Sequence, residues 1–254
     1  MGVTVDLTGR RVVVTGASSG IGAATCRSLV GCGASVAMLA RRKDRLDQLR
    51  DEIGEHAVGV RCDVTDLHSL PGAIDESARA LGGIDGVIAV AGRGMVGTIS
   101  TGTPEVWSDL ANLNLIGPLA TVRHALGHFP SSGRRDVVFV GSTGAITPVS
   151  GLGIYAATKR GLRAAFDALR LELAPVGIAV SFVMPGMFAT EGLGPEIALV
   201  DGELPDWEHV QLFVPGTGPG QADVIADTIA FVISRPEGFA VNEIVARPTG
   251  QLIS

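Results

Sequence analysis

Short runs of continuous apolar, β-branched residues alternate along the chain with stretches in which apolar positions return every three to four residues. The runs Arg11–Val14, Ser35–Leu39, Ala57–Cys62, Gly86–Val90, Asp136–Gly141, Ala179–Val183 and Glu243–Ala246 read as strands. Helical periodicity covers Ile21–Val30, Asp44–Ile53, Leu67–Leu81, Pro104–Leu126, Tyr155–Ala174 and Ala222–Ile233. A strand with one wet face would alternate apolar and polar side chains. These runs do not, so both faces of the sheet are expected to be covered, as in parallel sheets. Helical crossovers between parallel strands are right-handed and leave a ligand crevice at the strands' carboxyl ends. The pattern predicts an α/β chain with a doubly wound Rossmann fold: a seven-stranded parallel sheet with helices on both faces.

One segment interrupts the rhythm. Residues 187–220 carry Pro195, Pro205, Pro215 and Pro219, several glycines, and the large apolar residues Phe188, Leu204, Trp207, Leu212 and Phe213. A loop of this length inside a compact domain is usually functional, so it is expected to wall a binding site. No repeat or low-complexity linker offers a boundary, and residues 1–254 are expected to form one domain.

Composition narrows the function. The 254 residues are 46% hydrophobic and carry a formal net charge of −6. That gives no basic field for nucleic acid or anionic lipid, and no run is long enough to span a bilayer, so neither nucleic acid nor membrane is an expected partner. The apolar run Val12–Val14 is too short for a signal-peptide core, and the chain is expected in the cytoplasm. Cys26, Cys32 and Cys62 form no CxxC pair and read as reduced thiols; His124 and His128 lack a third ligand and read as helix-surface residues, so no metal is expected.

The run Thr15-Gly16-Ala17-Ser18-Ser19-Gly20-Ile21-Gly22 follows the first strand and opens the first helix. Glycines there let the main chain approach a pyrophosphate at a helix N-terminus. Folds that prefer NAD end the second strand on an acid that holds the adenosine ribose. Here that place reads Leu39-Ala40-Arg41-Arg42-Lys43. Cations suit a 2′-phosphate and are out of place at the positive end of a helix unless an anion binds, so NADP(H) is the expected cofactor, with Arg41 and Arg42 as its contacts. Further on, Tyr155 and Lys159 are four residues apart on one helical face. An ammonium beside a phenol stabilises the phenolate, which predicts a Tyr155 pKa drawn down toward neutrality for acid–base work.

With TGASSGIG and the Tyr-x3-Lys pair in order, the chain resembles the short-chain dehydrogenase/reductase family from Arg11 to about Arg247. The resemblance implies hydride transfer between a nicotinamide and a carbonyl or alcohol. It implies four catalytic residues: Tyr155 and Lys159, Ser142 thirteen positions before Tyr155 as the substrate-oxygen donor, and Asn114 as holder of a water in a proton relay. It further implies cofactor contacts from Gly16, Ser18, Ser19, Gly20, Ile21 and Gly22, from Asp63 and Val64 near the adenine, from Ala91 and Gly92, and from Pro185, Gly186, Phe188 and Thr190 around the nicotinamide. Asp63 reads equally well as an N-cap of the next helix. Where the family has Asn-Asn-Ala-Gly, this chain reads Ala89-Val90-Ala91-Gly92, which puts the usual bonds there in doubt.

Met95, Val96, Ile146, Val149, Leu152 and Met187 predict a mainly apolar substrate pocket in which Arg93 is the one evident cation. Six acids between Glu191 and Glu208 would repel an anion, which favours a neutral ketone or aldehyde as the small-molecule partner. The tail Asn242–Gln251 resembles that of serine/3-hydroxy-acid and clavulanic-acid-type dehydrogenases, which implies a reductase of specialised metabolism. A 3-oxoacyl-carrier-protein reductase and a non-catalytic NADP sensor are the competing readings. Leu162, Ala165, Leu169 and Leu173 exceed what one sheet face needs, and with the resemblance they suggest a homodimer or homotetramer through helix pairing.

Overall fold

The computed structural model describes residues 5–147, 150–190, 199–203 and 211–252. Seven parallel strands form its main sheet: β1 (Arg11–Thr15), β2 (Ser35–Ala40), β3 (Ala57–Arg61), β4 (Gly86–Ala89), β5 (Asp136–Val140), β6 (Ala179–Pro185) and β7 (Glu243–Ala246). Their order is β3-β2-β1-β4-β5-β6-β7, so the chain reverses its direction of travel between β1 and β4. A crevice opens at such a switch point because the crossovers on either side leave to opposite faces.

The continuous apolar runs are explained by what each face meets. Along β1, Val12 and Val14 belong to one fully buried core and Val13 to another. The first core packs the sheet against α1 (Gly20–Gly31), α2 (Lys43–Ile53) and α7 (Ala222–Ile233), through Cys26 and Leu29, Leu46 and Leu49, and Ile225 and Ile229. On the other face lie α3 (Leu70–Leu81), α5 (Gly117–Ala125) and α6 (Gly153–Leu173), contributing Ile74, Val122, Leu162 and Phe166. Each alternate strand position therefore leaves water, at about 25 cal/mol for every Å² of apolar surface.

One expectation changes. The single helix predicted over Pro104–Leu126 is α4 (Pro104–Ala111), then a π-helical turn over Asn112–Ile116, then α5. Of the apolar residues offered for helix pairing, Leu162 is fully buried, Leu169 and Leu173 are partly buried against the second core, and Ala165 is half-buried. On α6 it is Leu171, 63% exposed, that faces outward. No described helix is long and apolar enough to cross a membrane.

Residues 187–220 are partly tied down. Phe188–Ala189 pairs with Gly220–Gln221, and Met95–Val96 pairs with Leu199–Val200. The tail folds back over the same region, with Val214 N–H donating to Gly250 O and Leu252 N–H to Leu212 O. Val149, Glu191, Pro195, Glu196, Leu204, Pro205, Asp206, Trp207 and Glu208 lie outside the described residues.

Candidate active site

The glycine turn is built by close approach. Gly16 has φ +69°, and a Cβ there would stand 2.9 Å from Ala91 N and Cα; one on Gly22 would stand 2.2 Å from Gly16 O. Side chains are thus excluded where the first helix meets the sheet, and the first main-chain N–H groups of α1 face an open groove. That groove is lined by Gly16, Ser18, Ser19, Gly20, Ile21, Gly22, Ala40, Arg41, Arg42, Asp63, Val64, Ala91, Gly92 and Thr190. All the cofactor positions read from the sequence therefore fall on it or, like Pro185, Gly186 and Phe188, on the adjoining cavity.

The three cations after β2 separate. Arg42, the N-cap residue of α2, reaches back to the glycine turn, donating to Ser18 Oγ at 3.0 Å and Ser19 Oγ at 2.7 Å. Arg41 remains 71% exposed, 3.9 Å from Asp63. Lys43 turns along its own helix to Asp47, an i,i+4 pair whose hydrogen bond holds the Asp47 carboxyl below its usual range. Asp63 does not cap a helix: its Oδ1 accepts from Thr65 N–H at 3.0 Å and Thr65 Oγ1 at 2.8 Å, and α3 starts only at Leu70. The loop lacking the family's asparagines is held by Thr15, whose buried Oγ1 accepts from Val90 N–H and Ala91 N–H, each at 3.2 Å.

Ser142, Tyr155 and Lys159 line one cavity with Arg93, Met95, Leu152, Met187 and Leu212. Ser142 follows β5, and its Oγ accepts from Gly144 N–H at 3.1 Å. Tyr155 sits in the first turn of α6, and its phenol comes close enough to Ser142 for the hydroxyl to favour the phenolate. Lys159, 4% exposed, donates to Val140 O at 3.1 Å, and its Nζ lies 6.0 Å from the Tyr155 ring centre. Burial lowers the ammonium's pKa from 10.5 to about 8. The expected downward pull on Tyr155 is not seen: removal from water pushes its phenol up, and the Ser142 hydroxyl only partly opposes this. With the ammonium committed to a carbonyl, loss of hydration outweighs attraction.

Asn114 lies fully buried in the π turn. Its Oδ1 accepts from Arg93 N–H and its Nδ2 donates to Arg93 O, both at 3.0 Å, and Nδ2 also reaches Thr158 Oγ1 at 3.2 Å. The side chain braces the loop after β4 against α6. A Cβ on Gly92 would stand 2.9 Å from Asn114 Oδ1 and 3.3 Å from Lys159 Nζ, so glycine is what lets the three elements converge.

Two contributors went unread in the sequence. Gln251 lines the cavity and accepts through Oε1 from Met187 N–H at 2.7 Å. Arg160 donates to Ala145 O at 3.1 Å and Ile146 O at 2.6 Å, fixing the turn that follows Ser142. Neither carries a local signal, because each partner is distant along the chain. The thiols are quiet: burial raises Cys26 to about 12 and Cys62 to about 11.

Comparison with known proteins gives the family. The short chain dehydrogenase family profile matches residues 10–197. The chain is 32% identical over 252 residues to a glycine betaine reductase of Emericella nidulans, covering 97% of itself but only 19% of that much longer relative. It is 33% identical over 193 residues to an uncharacterized oxidoreductase of Mycobacterium tuberculosis, covering 73% of this chain and 76% of that one. Among solved structures, a short chain dehydrogenase from Burkholderia cenocepacia in complex with NADP superposes with a TM-score of 0.81 at 30% identity, over 95% of this chain and 97% of that one. A glycine turn at the switch point and a Ser-Tyr-Lys cavity beside it are thus carried by a chain that belongs to the short-chain dehydrogenase family of oxidoreductases.

Proposed function

We propose that this protein reduces a ketone or aldehyde to an alcohol with NADPH, or runs the reverse oxidation. The reading rests on one observation: Ser142, Tyr155 and Lys159 share a cavity that opens onto the glycine-turn groove. The groove suits a dinucleotide, since Gly16, Gly20 and Gly22 line it with bare main chain and a guanidinium lies at its rim. Gly16, Ser18–Gly22, Asp63, Val64, Ala91, Gly92, Pro185, Gly186, Phe188 and Thr190 would hold the cofactor, and when bound it supplies the hydride.

The chain's own residues handle the proton. Tyr155, kept protonated by its raised pKa, gives its phenolic proton to the substrate oxygen, and Ser142 steadies the charge on that oxygen. Lys159 is mostly charged at pH 7 and would stabilise the phenolate left behind by turning from Val140 O toward the ring 6.0 Å away. Asn114 positions this set through Thr158 and the Arg93 main chain. The preference for NADP(H) follows from Arg42 at the serines of the turn and from Ala40, where an acid would repel a 2′-phosphate. On this reading residues 1–254 form one domain and 187–220 its substrate-facing segment.

The test is NADPH oxidation across a panel of ketones and aldehydes. Tyr155→Phe should lower kcat/KM by about 10²–10⁴-fold while the affinity for NADPH holds. Wild-type protein that binds NADPH yet reduces no carbonyl would instead identify a cofactor sensor, and a clear preference for NADH would sink the choice of cofactor.

A further inference from the structure

We infer that the substrate carries a carboxylate and that Arg93 binds it; this rests on the carbonyl-reductase reading above and replaces the neutral substrate expected from the sequence. Arg93 lines both the groove and the cavity that holds Ser142, Tyr155 and Lys159. Its main chain is fixed on both sides by Asn114, at 3.0 Å each, so its side chain departs from a rigid base.

The guanidinium has no partner among the described residues, and its buried Nε has none either. Arginines left without a partner on the surface keep their water, but Arg93 and Arg135 alone among the described arginines bury a bare Nε. Arg135 also has a bare Nε, but its terminal nitrogens donate to Pro130 O at 3.1 Å, Ser131 O at 3.3 Å and Val176 O at 2.5 Å. Arg42 and Arg160 are likewise held, by the turn serines and by the Ala145 and Ile146 carbonyls. Burying part of a cation without a partner costs stability unless a ligand completes it.

The surroundings say which ligand. Met95, Leu152, Met187 and Leu212 line the rest of the cavity, and no described carboxylate does. Lys159, the other cation there, is committed to Val140 O. The acids expected to repel an anion do not all face it: Asp201, 7% exposed, accepts from Thr103 N–H at 2.7 Å and so caps the start of α4. A guanidinium forks onto a carboxylate through two parallel bonds. The molecule that satisfies both ends is an oxo acid, with its ketone or aldehyde at Ser142 and Tyr155 and its carboxylate at Arg93.

The decisive comparison is kcat/KM for 4-oxopentanoate and 5-oxohexanoate against their methyl esters, in wild type, Arg93→Met and Arg93→Lys. Wild type should prefer the acids. Arg93→Met should reduce that preference about 10–100-fold, with Arg93→Lys between, while the esters and the dissociation constant for NADPH change less than twofold. An unchanged acid-to-ester ratio overturns the inference. So does an equal loss on acids and esters with weaker NADPH binding, which would assign Arg93 to the cofactor. Calorimetric titration with hexanoate and hexanamide separates this from failure of the reductase reading. Hexanoate bound by wild type but not by Arg93→Met, in a protein that reduces nothing, upholds the anion site and rejects the reductase; equal binding to both rejects the anion site.

Discussion

At the amino ends of the central strands, Asp136 is fully buried and shares its carboxylate between Arg10, at 2.8 Å, and Arg134. Asp85 beside it accepts from Arg10 and Arg11, each at 2.9 Å. At the carboxyl ends of the same strands, Lys159 is almost as deeply buried with one neutral carbonyl for company, and Arg93 has no side-chain partner among the described residues. The lower cluster also ties down the far end of the chain: Arg10 donates to Ile233 O at 3.0 Å and Arg134 to Pro236 O at 2.8 Å. Burying an ion is costly, and only good geometry with further hydrogen bonds offsets that cost. One end of the sheet comes near this condition, though burial still holds the Asp136 carboxyl above its usual range against the pull of Arg134 and Arg10; the other end has far less to offset the cost. Charges that the fold completes serve stability; those it leaves incomplete are available to a ligand.

The largest effect should come from breaking the completed end. Asp136→Ala leaves Arg10 and Arg134 facing a buried gap, and losing one partner of a buried pair costs about 3–5 kcal/mol. Urea denaturation should show that loss, and thermal unfolding a drop of about 10 °C. Steady-state turnover per folded molecule should stay at the wild-type value. If it falls in proportion, the two ends are coupled and the division between them fails.

The incomplete end should respond with the opposite sign. The folded protein binds the Lys159 proton more weakly than the unfolded chain does, with a pKa of about 8 against 10.5. Where the unfolded state binds more protons, stability rises with pH, so the cost is full below about pH 8 and fades as pH climbs toward 10.5. Lys159→Met removes it. The variant should be about 3 kcal/mol more stable than wild type at pH 7 and only about 1 kcal/mol more stable at pH 9.5, with the proposed carbonyl turnover lost at both. A destabilised variant at pH 7 would show that the ammonium is better compensated than its single carbonyl implies.

This asymmetry marks what the sequence could disclose. Strand runs such as Val12–Val14 report burial on two faces, and that property is local, so the sheet and its helices were readable. The glycine turn and the Tyr155–Lys159 spacing were readable for the same reason. The π turn at Asn112–Ile116 was hidden, because slipping one residue of helical hydrogen bonding leaves the apolar period almost unchanged. The direction of the Tyr155 shift was misread because it depends on where Lys159 points, which residue identity does not encode. Lys43 could have been read correctly: Asp47 four residues later was a partner in plain view. Gln251 and Arg160 could not, since their partners are assembled only by the fold.

Arg160 gives the smallest and finest test of the division, because it lies at the incomplete end yet is itself completed. Its guanidinium hydrogen-bonds Ala145 O and Ile146 O, so it acts on the site by fixing the turn between Ser142 and Tyr155. Arg160→Met should free that turn and misplace the Ser142 hydroxyl. Misplacement weakens a contact needed most as charge develops, so kcat should fall about tenfold, or about 1.4 kcal/mol, with KM nearly unchanged. Because the side chain is solvent-exposed, unfolding should move by less than about 1 kcal/mol. Arg160→Lys, with one donor group able to reach one carbonyl, should recover part of kcat. A rise in KM with kcat intact would place Arg160 among the groups that bind substrate, and the rule that completed charges only support the fold would then fail at the site itself.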